Sequence, residues 1–117
     1  MKYLCLVYLE QKKLGALSKG DYDALVDEAR SYDEELRKSG HHIVSDTLQP
    51  AETATTVRIH NGKASASDGP VAGTMGQLGA FVLINARDLN DAIRVASKIP
   101  PARLGCVEVR PIKDLSG

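Results

Sequence analysis

Neither sign of charge prevails in this chain. Its 117 residues carry 15 Lys plus Arg and 15 Asp plus Glu, so no net field gathers nucleic acid or an anionic membrane around it. Cysteine is scarce. Cys5 and Cys106 are the only two, and neither belongs to a Cys-x-x-Cys pair or has a histidine nearby in sequence, which removes zinc-site and thioredoxin-like readings. Both fall in apolar surroundings, so they are expected to be free thiols buried in the core of a reduced, cytoplasmic protein. No segment approaches the roughly 20 apolar residues that a membrane span requires. The opening apolar run is short, meets Glu10-Gln11-Lys12-Lys13 and has no small-residue cleavage site, so it reads as a first strand rather than a leader. Repeats, linkers and low-complexity tracts are also missing. The expectation is one soluble domain over residues 1–117.

What is present is an alternation of strand and helix signals. Residues 2–9 are apolar on both alternating faces, with Tyr3, Cys5, Val7 and Leu9 on one and Leu4, Leu6 and Tyr8 on the other. Ser18-Lys19-Gly20-Asp21 resembles a helix cap, and Tyr22, Leu25, Val26, Ala29, Tyr32 and Leu36 recur at helical spacing up to Gly40. The charges on the other side of that helix, Asp27, Arg30, Asp33, Glu34, Arg37 and Lys38, read as a solvated face. A short strand is expected over residues 42–48. Asn61-Gly62 between residues 55–60 and 63–67 predicts a type I′ hairpin, whose register opposes His60 to Lys63, Ile59 to Ala64, Arg58 to Ser65 and Val57 to Ala66. A strand over 80–85 follows, again apolar on both faces. Next comes a helix capped at Asp88, with a stripe of Leu89, Ala92, Ile93, Ala96 and Ile99, and then a last strand over 105–110. This order suits an α+β, ferredoxin-like sandwich with an inserted β-hairpin, both helices on one side of the sheet. The other side then has no cover, and a homodimer packed through the sheet face would supply it.

Between hairpin and strand runs Asp68-Gly69-Pro70-Val71-Ala72-Gly73-Thr74-Met75-Gly76-Gln77-Leu78-Gly79. With Met1-Lys2-Tyr3-Leu4, Glu34-Glu35-Leu36-Arg37, Leu48-Gln49-Pro50, Ala54-Thr55-Thr56-Val57-Arg58 and Ile99-Pro100-Pro101-Ala102-Arg103, this segment resembles the YCII-related, or DGPF-domain, family along essentially the whole chain. The resemblance implies a dimeric α/β-barrel fold. The family signature usually reads Asp-Gly-Pro-Phe-Ala-Glu-Thr-Lys-Glu-Gln-Leu-Gly. Here Val71 stands for the aromatic residue, and Gly73, Met75 and Gly76 stand for three charged ones, so any role of those side chains does not carry over. YciI-like relatives include a dehydrochlorinase and carry a His-Asp pair with the histidine on the first helix, but residues 21–39 contain no histidine. Genes for such proteins often accompany those for extracytoplasmic-function sigma factors, which makes a sigma factor an alternative partner.

The candidate residues follow from their chemistry. Asp68, between a hairpin and a glycine turn, suits a base or ligand anchor at a cleft mouth, or else an Asx-turn. His60 has the intrinsic pKa for proton transfer, or is simply exposed beside the turn. Arg58 and Arg103 could fork onto a carboxylate ligand, or form ion pairs such as one with Glu108. Thr74 and Gln77 could line the pocket or stabilise the loop. His41-His42 point opposite ways and do not suit a joint metal site. The glycine-rich loop has neither the Gly-x-x-x-x-Gly-Lys spacing nor the following helix of a phosphate cradle. No metal or cofactor is expected. The reading is a dimer with a small-molecule cleft near the Asp68 loop, either binding a polar or aromatic metabolite or performing lyase-like acid–base chemistry on it; the alternative is a regulatory protein acting with a sigma factor.

Overall fold

The computed structural model describes residues 1–71 and 77–116. Along the chain lie β1 (Lys2–Leu9), α1 (Gln11–Gly15), α2 (Lys19–Lys38), β2 (His42–Thr47), β3 (Thr55–His60), β4 (Lys63–Asp68), β5 (Gln77–Asn85), α3 (Leu89–Ala96) and β6 (Gly105–Pro111), with 3₁₀ turns at Ala51–Thr53 and Pro100–Leu104. Four strands form an antiparallel sheet in the order β2-β5-β1-β6, and β3 pairs only with β4. Because β5 inserts between β1 and β2, the α2 crossover spans a split βαβ unit, the ferredoxin-like connection. The described residues form two open sheets and no closed barrel.

Both long helices start where their caps dictate. Ser18 Oγ accepts the Asp21 N–H at 3.0 Å and Asp88 Oδ1 accepts the Asp91 N–H at 2.8 Å, each worth about 1 kcal/mol against an alanine cap. The helices share one side of the sheet. Tyr3, Cys5 and Val7 of β1 and Val82 and Ile84 of β5 pack there against Leu36, Ala92, Val95, Ala96 and Ile99, and the Tyr32 hydroxyl donates to the Val95 carbonyl at 2.6 Å, tying α2 to α3. Burial pushes the Cys5 thiol up to about 11. It raises Tyr32 to about 12 as well, with Glu35 adding to the shift.

Leu4, Leu6 and Tyr8 of β1, with their neighbours Phe81 and Leu83 of β5, form the other face, where neither α2 nor α3 lies. Cys106 pairs with Tyr8 and is exposed, which corrects the expectation that both thiols are core residues. The α3 stripe is also corrected. Leu89 and Ile93 are each 49 % exposed, while Asp91, Ala92, Val95 and Ala96 are buried, because the helix turns the small Ala92 and Ala96 and Val95 onto β1 and β5. Gly105 closes the β1–β6 ladder opposite Leu9 so tightly that a Cβ there would overlap the Tyr8 carbonyl oxygen.

The hairpin carries the expected register. Asn61 and Gly62 take φ of 52° and 77°, as a type I′ turn requires. Its base is closed by Thr56 Oγ1 donating to the Gly69 carbonyl at 2.7 Å and by the Gly69 N–H on Ala54 at 2.8 Å. Beyond Thr56 the arm is exposed on both sides, Ile59 at 76 %. The radius of gyration, 16.0 Å, exceeds the roughly 13–14 Å of a compact domain this long.

Candidate functional site

Of the six apolar residues that recur along α2, only Leu36 is buried. Tyr22, Leu25, Val26, Ala29 and Tyr32 instead form one wall of a cleft of about 530 Å³, within the range of small-molecule sites. Ser45, Asp46 and Thr47 of β2 and Gln77 to Val82 of β5 make the facing wall, and Leu9, Pro100, Pro101 and Leu104 close one end. A β-bulge shapes this wall. Val7 pairs with Ala80 and Tyr8 with Leu78, which leaves Gly79 unpaired toward β1, its carbonyl accepting the Leu48 N–H at 2.8 Å. A Cβ at Gly79 would lie 2.5 Å from Leu9 Cδ1, so a side chain there would push Leu9 from its place at the cleft end.

A polar chain runs along the β2 side. Ser45 Oγ donates to Asp33 Oδ2 at 3.1 Å and lies 2.8 Å from His42 Nε2. With Asp33 as a carboxylate, which only accepts, the serine hydrogen points to Asp33 and the His42 Nε2–H donates to Ser45. Asp33 and Ser45 line the cleft, and His42 stands behind them. In a regular strand residues 42 and 45 would face opposite ways. Here the pairing skips Ile43, with His42 opposite Ile84 and Val44 opposite Leu83, so His42 and Ser45 reach the helix side together. Sequence reading missed this site because Asp33 looked like part of a solvated helix face and no pattern signals a bulge at Ile43.

A second cluster is structural. The Asp91 carboxylate, 2 % exposed, takes the Arg87 N–H at 3.1 Å, Arg94 Nη2 at 2.5 Å and His41 Nε2 at 3.1 Å. These donors, the Arg87 N–H first and then Arg94, hold Asp91 well below the ordinary carboxylate range against the opposing effect of burial. His41 in turn meets Ser39 Oγ at 2.7 Å. The two adjacent histidines therefore serve different partners, and no group of three metal-binding side chains occurs among the described residues.

The sequence-predicted residues scatter. Gln77 lines the cleft. Arg103 ion-pairs with Glu28 of α2, while Glu108 pairs with Arg110 rather than with Arg58 or Arg103. Arg58 and His60 are exposed on the hairpin arm, and Asp68 is exposed at its base opposite Thr55. The Asp68 side chain makes no hydrogen bond within the described residues, and the residue two places on is Pro70, which has no N–H to offer. Thr74 lies outside the described residues. Of the candidates within the described residues, only Gln77 shares the cleft with Asp33 and Ser45.

The split βαβ sandwich with a cleft beneath its first long helix defines a small α+β fold of the ferredoxin-like kind. The YCII-related domain matches residues 1–116, and the chain belongs to that family. It is 29 % identical over 114 residues to an uncharacterised protein of Rhizobium meliloti strain 1021, covering 96 % of this chain and 92 % of that one. Among solved structures it resembles 5-chloro-2-hydroxyhydroquinone dehydrochlorinase of Burkholderia phenoliruptrix, determined in complex with 2,5-dihydroxybenzoquinone. That likeness has a TM-score of 0.53 at 18 % identity over 97 % of this chain and 94 % of the other. At that identity it concerns the fold. Among the described residues no helix is long and apolar enough to cross a membrane.

Proposed function

We propose that this protein is a cytoplasmic homodimer that binds a small ring-bearing metabolite in the cleft beneath α2 and carries out lyase-like acid–base chemistry on it. The carrying observation is that four apolar side chains of α2, Tyr22, Leu25, Val26 and Ala29, line an open cleft and are absent from the packed core, with a carboxylate, a hydroxyl and an imidazole in a row beside them. Leaving that much apolar surface unburied forgoes hydrophobic stabilisation, which a bound ligand would restore. The dehydrochlorinase with a similar fold, held in complex with a dihydroxylated ring, supports this choice. The acid–base role passes from Asp68 and His60, which stand outside the cleft lining, to the groups that border it. Free thiols at Cys5 and Cys106 fit a reducing compartment. The dimer rests on the uncovered sheet face, with Leu4, Leu6, Phe81 and Leu83 side by side. The sigma-factor alternative has no observation of its own in the described residues.

A thermal-shift screen of hydroxylated ring metabolites against wild type and Ala29→Leu tests the reading. Ala29 lines the cleft, so the larger side chain occupies ligand space. At least one compound should raise the wild-type melting point and leave the variant unmoved. Equal shifts in both proteins would move the site elsewhere, and no shift in wild type would remove the reading.

A further inference from the structure

The Asp33–Ser45–His42 chain has a polarity, and that polarity selects a ligand. The Ser45 hydroxyl occupies Oδ2 of Asp33, whereas Oδ1 has no hydrogen-bond partner among the described residues. A carboxylate oxygen left over on the wall of an apolar cleft calls for a donor, because it loses water when a ligand enters. Fixing the other oxygen through Ser45, itself held by His42, settles the rotamer of Asp33 in advance and lowers the ordering cost of binding. The charges on the lining are Asp33, Asp46 and Arg30, so a carboxylate ligand would meet two like charges and one opposite. Tyr22, Leu25 and Pro100 offer apolar surface.

We infer that Asp33, positioned by Ser45 and His42, is the specificity-determining acceptor of the cleft, and that its ligand is an uncharged ring bearing a hydroxyl whose O–H donates to Asp33 Oδ1. This rests on the cleft being the ligand site. It differs from the carboxylate recognition expected of Arg58 and Arg103, one on the hairpin arm and the other paired with Glu28. It also assigns work to three residues of which sequence reading singled out none as a site.

Three matched probes isolate the hydroxyl: 2-naphthol, 2-methoxynaphthalene, which keeps the ring but has no O–H, and 2-naphthoate. Each is titrated into the isotopically labelled protein and followed by backbone amide shifts. The expected order is 2-naphthol over 2-methoxynaphthalene by about tenfold or more, the range for a hydrogen bond to a charged group, with 2-naphthoate weakest and the shifts centred on Ser45, Thr47 and Gly79. Asp33→Asn should bring the first two within about twofold of each other. Ser45→Ala and His42→Phe, as positioning changes, should weaken 2-naphthol while sparing 2-methoxynaphthalene, a split that mere loosening of the fold would not give. If the two neutral probes bind wild type equally with shifts at cleft amides, this inference is overturned and the cleft stands. Should no probe move a cleft amide in wild type, the cleft falls with it. The wild-type comparison decides even if a variant does not fold.

Discussion

At the scale of single residues, the buried carboxylate of Asp91 has the clearest energetic role. It gathers the Arg87 N–H, Arg94 and His41 and so fastens the segment entering β2 to the start of α3. Its depressed folded pKa fixes the sign of the pH effect. Its contribution is complete above the ordinary carboxylate value near 4 and is lost as pH falls below that toward the lowered folded value. Wild type should therefore lose melting temperature steeply on acidification below about pH 4, and Asp91→Asn should melt several degrees lower at neutral pH and show a shallower acid slope. Parallel slopes for the two proteins would contradict the assignment. Residue-level reading of the sequence had mixed success for reasons of the same kind. Cys5 was legible as core because the strand around it is apolar throughout. Cys106 was misread from its apolar sequence neighbours, although period two places it on the face of Glu108 and Arg110 and not on that of Val107 and Val109. Asp33 was misread because charge on a helix is usually solvated, and its partner Ser45 comes into range through a bulge that leaves no local mark.

Elements governed by their own backbone chemistry were legible. The caps at Ser18 and Asp88 and the Asn61-Gly62 turn rest on hydrogen bonds and φ angles within a few residues, so the sequence contains everything they need. The stripe of α3 is set by its packing partner, and its expected phase missed the exposure of Leu89 and Ile93. The hairpin offers a test of how independent an element can be. Beyond Thr56 it buries no side chain among the described residues, so replacing Asn61-Gly62 by Ala-Ala should cost the arm about 1 kcal/mol or more in strained positive-φ backbone. Amide exchange of residues 55–68 should accelerate while that of β1 and β5 stays unchanged. Faster exchange throughout would mean that the arm is docked on the body.

For the whole molecule, one side of the sheet is covered by helices and the other leaves Leu4, Leu6, Phe81 and Leu83 half-buried beside the Glu108–Arg110 pair. On the proposed reading this face is where two copies meet, since an isologous pairing of two such faces closes without leaving a further sticky edge. Sedimentation velocity at micromolar concentration should find a dimer, and Leu6→Lys, which places a charge in the middle of the face, should yield a folded monomer. A wild-type monomer would contradict the pairing.

Whether residues 22–29 of α2 bound empty space or packed core decides the function, and the ligand-free protein can answer. Denaturant unfolding of wild type and Ala29→Leu compares the two cases directly. An open cleft accepts the added methyl groups, so the variant's stability should fall within about 0.5 kcal/mol of wild type or exceed it. A loss of about 1–3 kcal/mol, the usual result of overpacking a filled core, would show that there is no cleft for a ligand to enter.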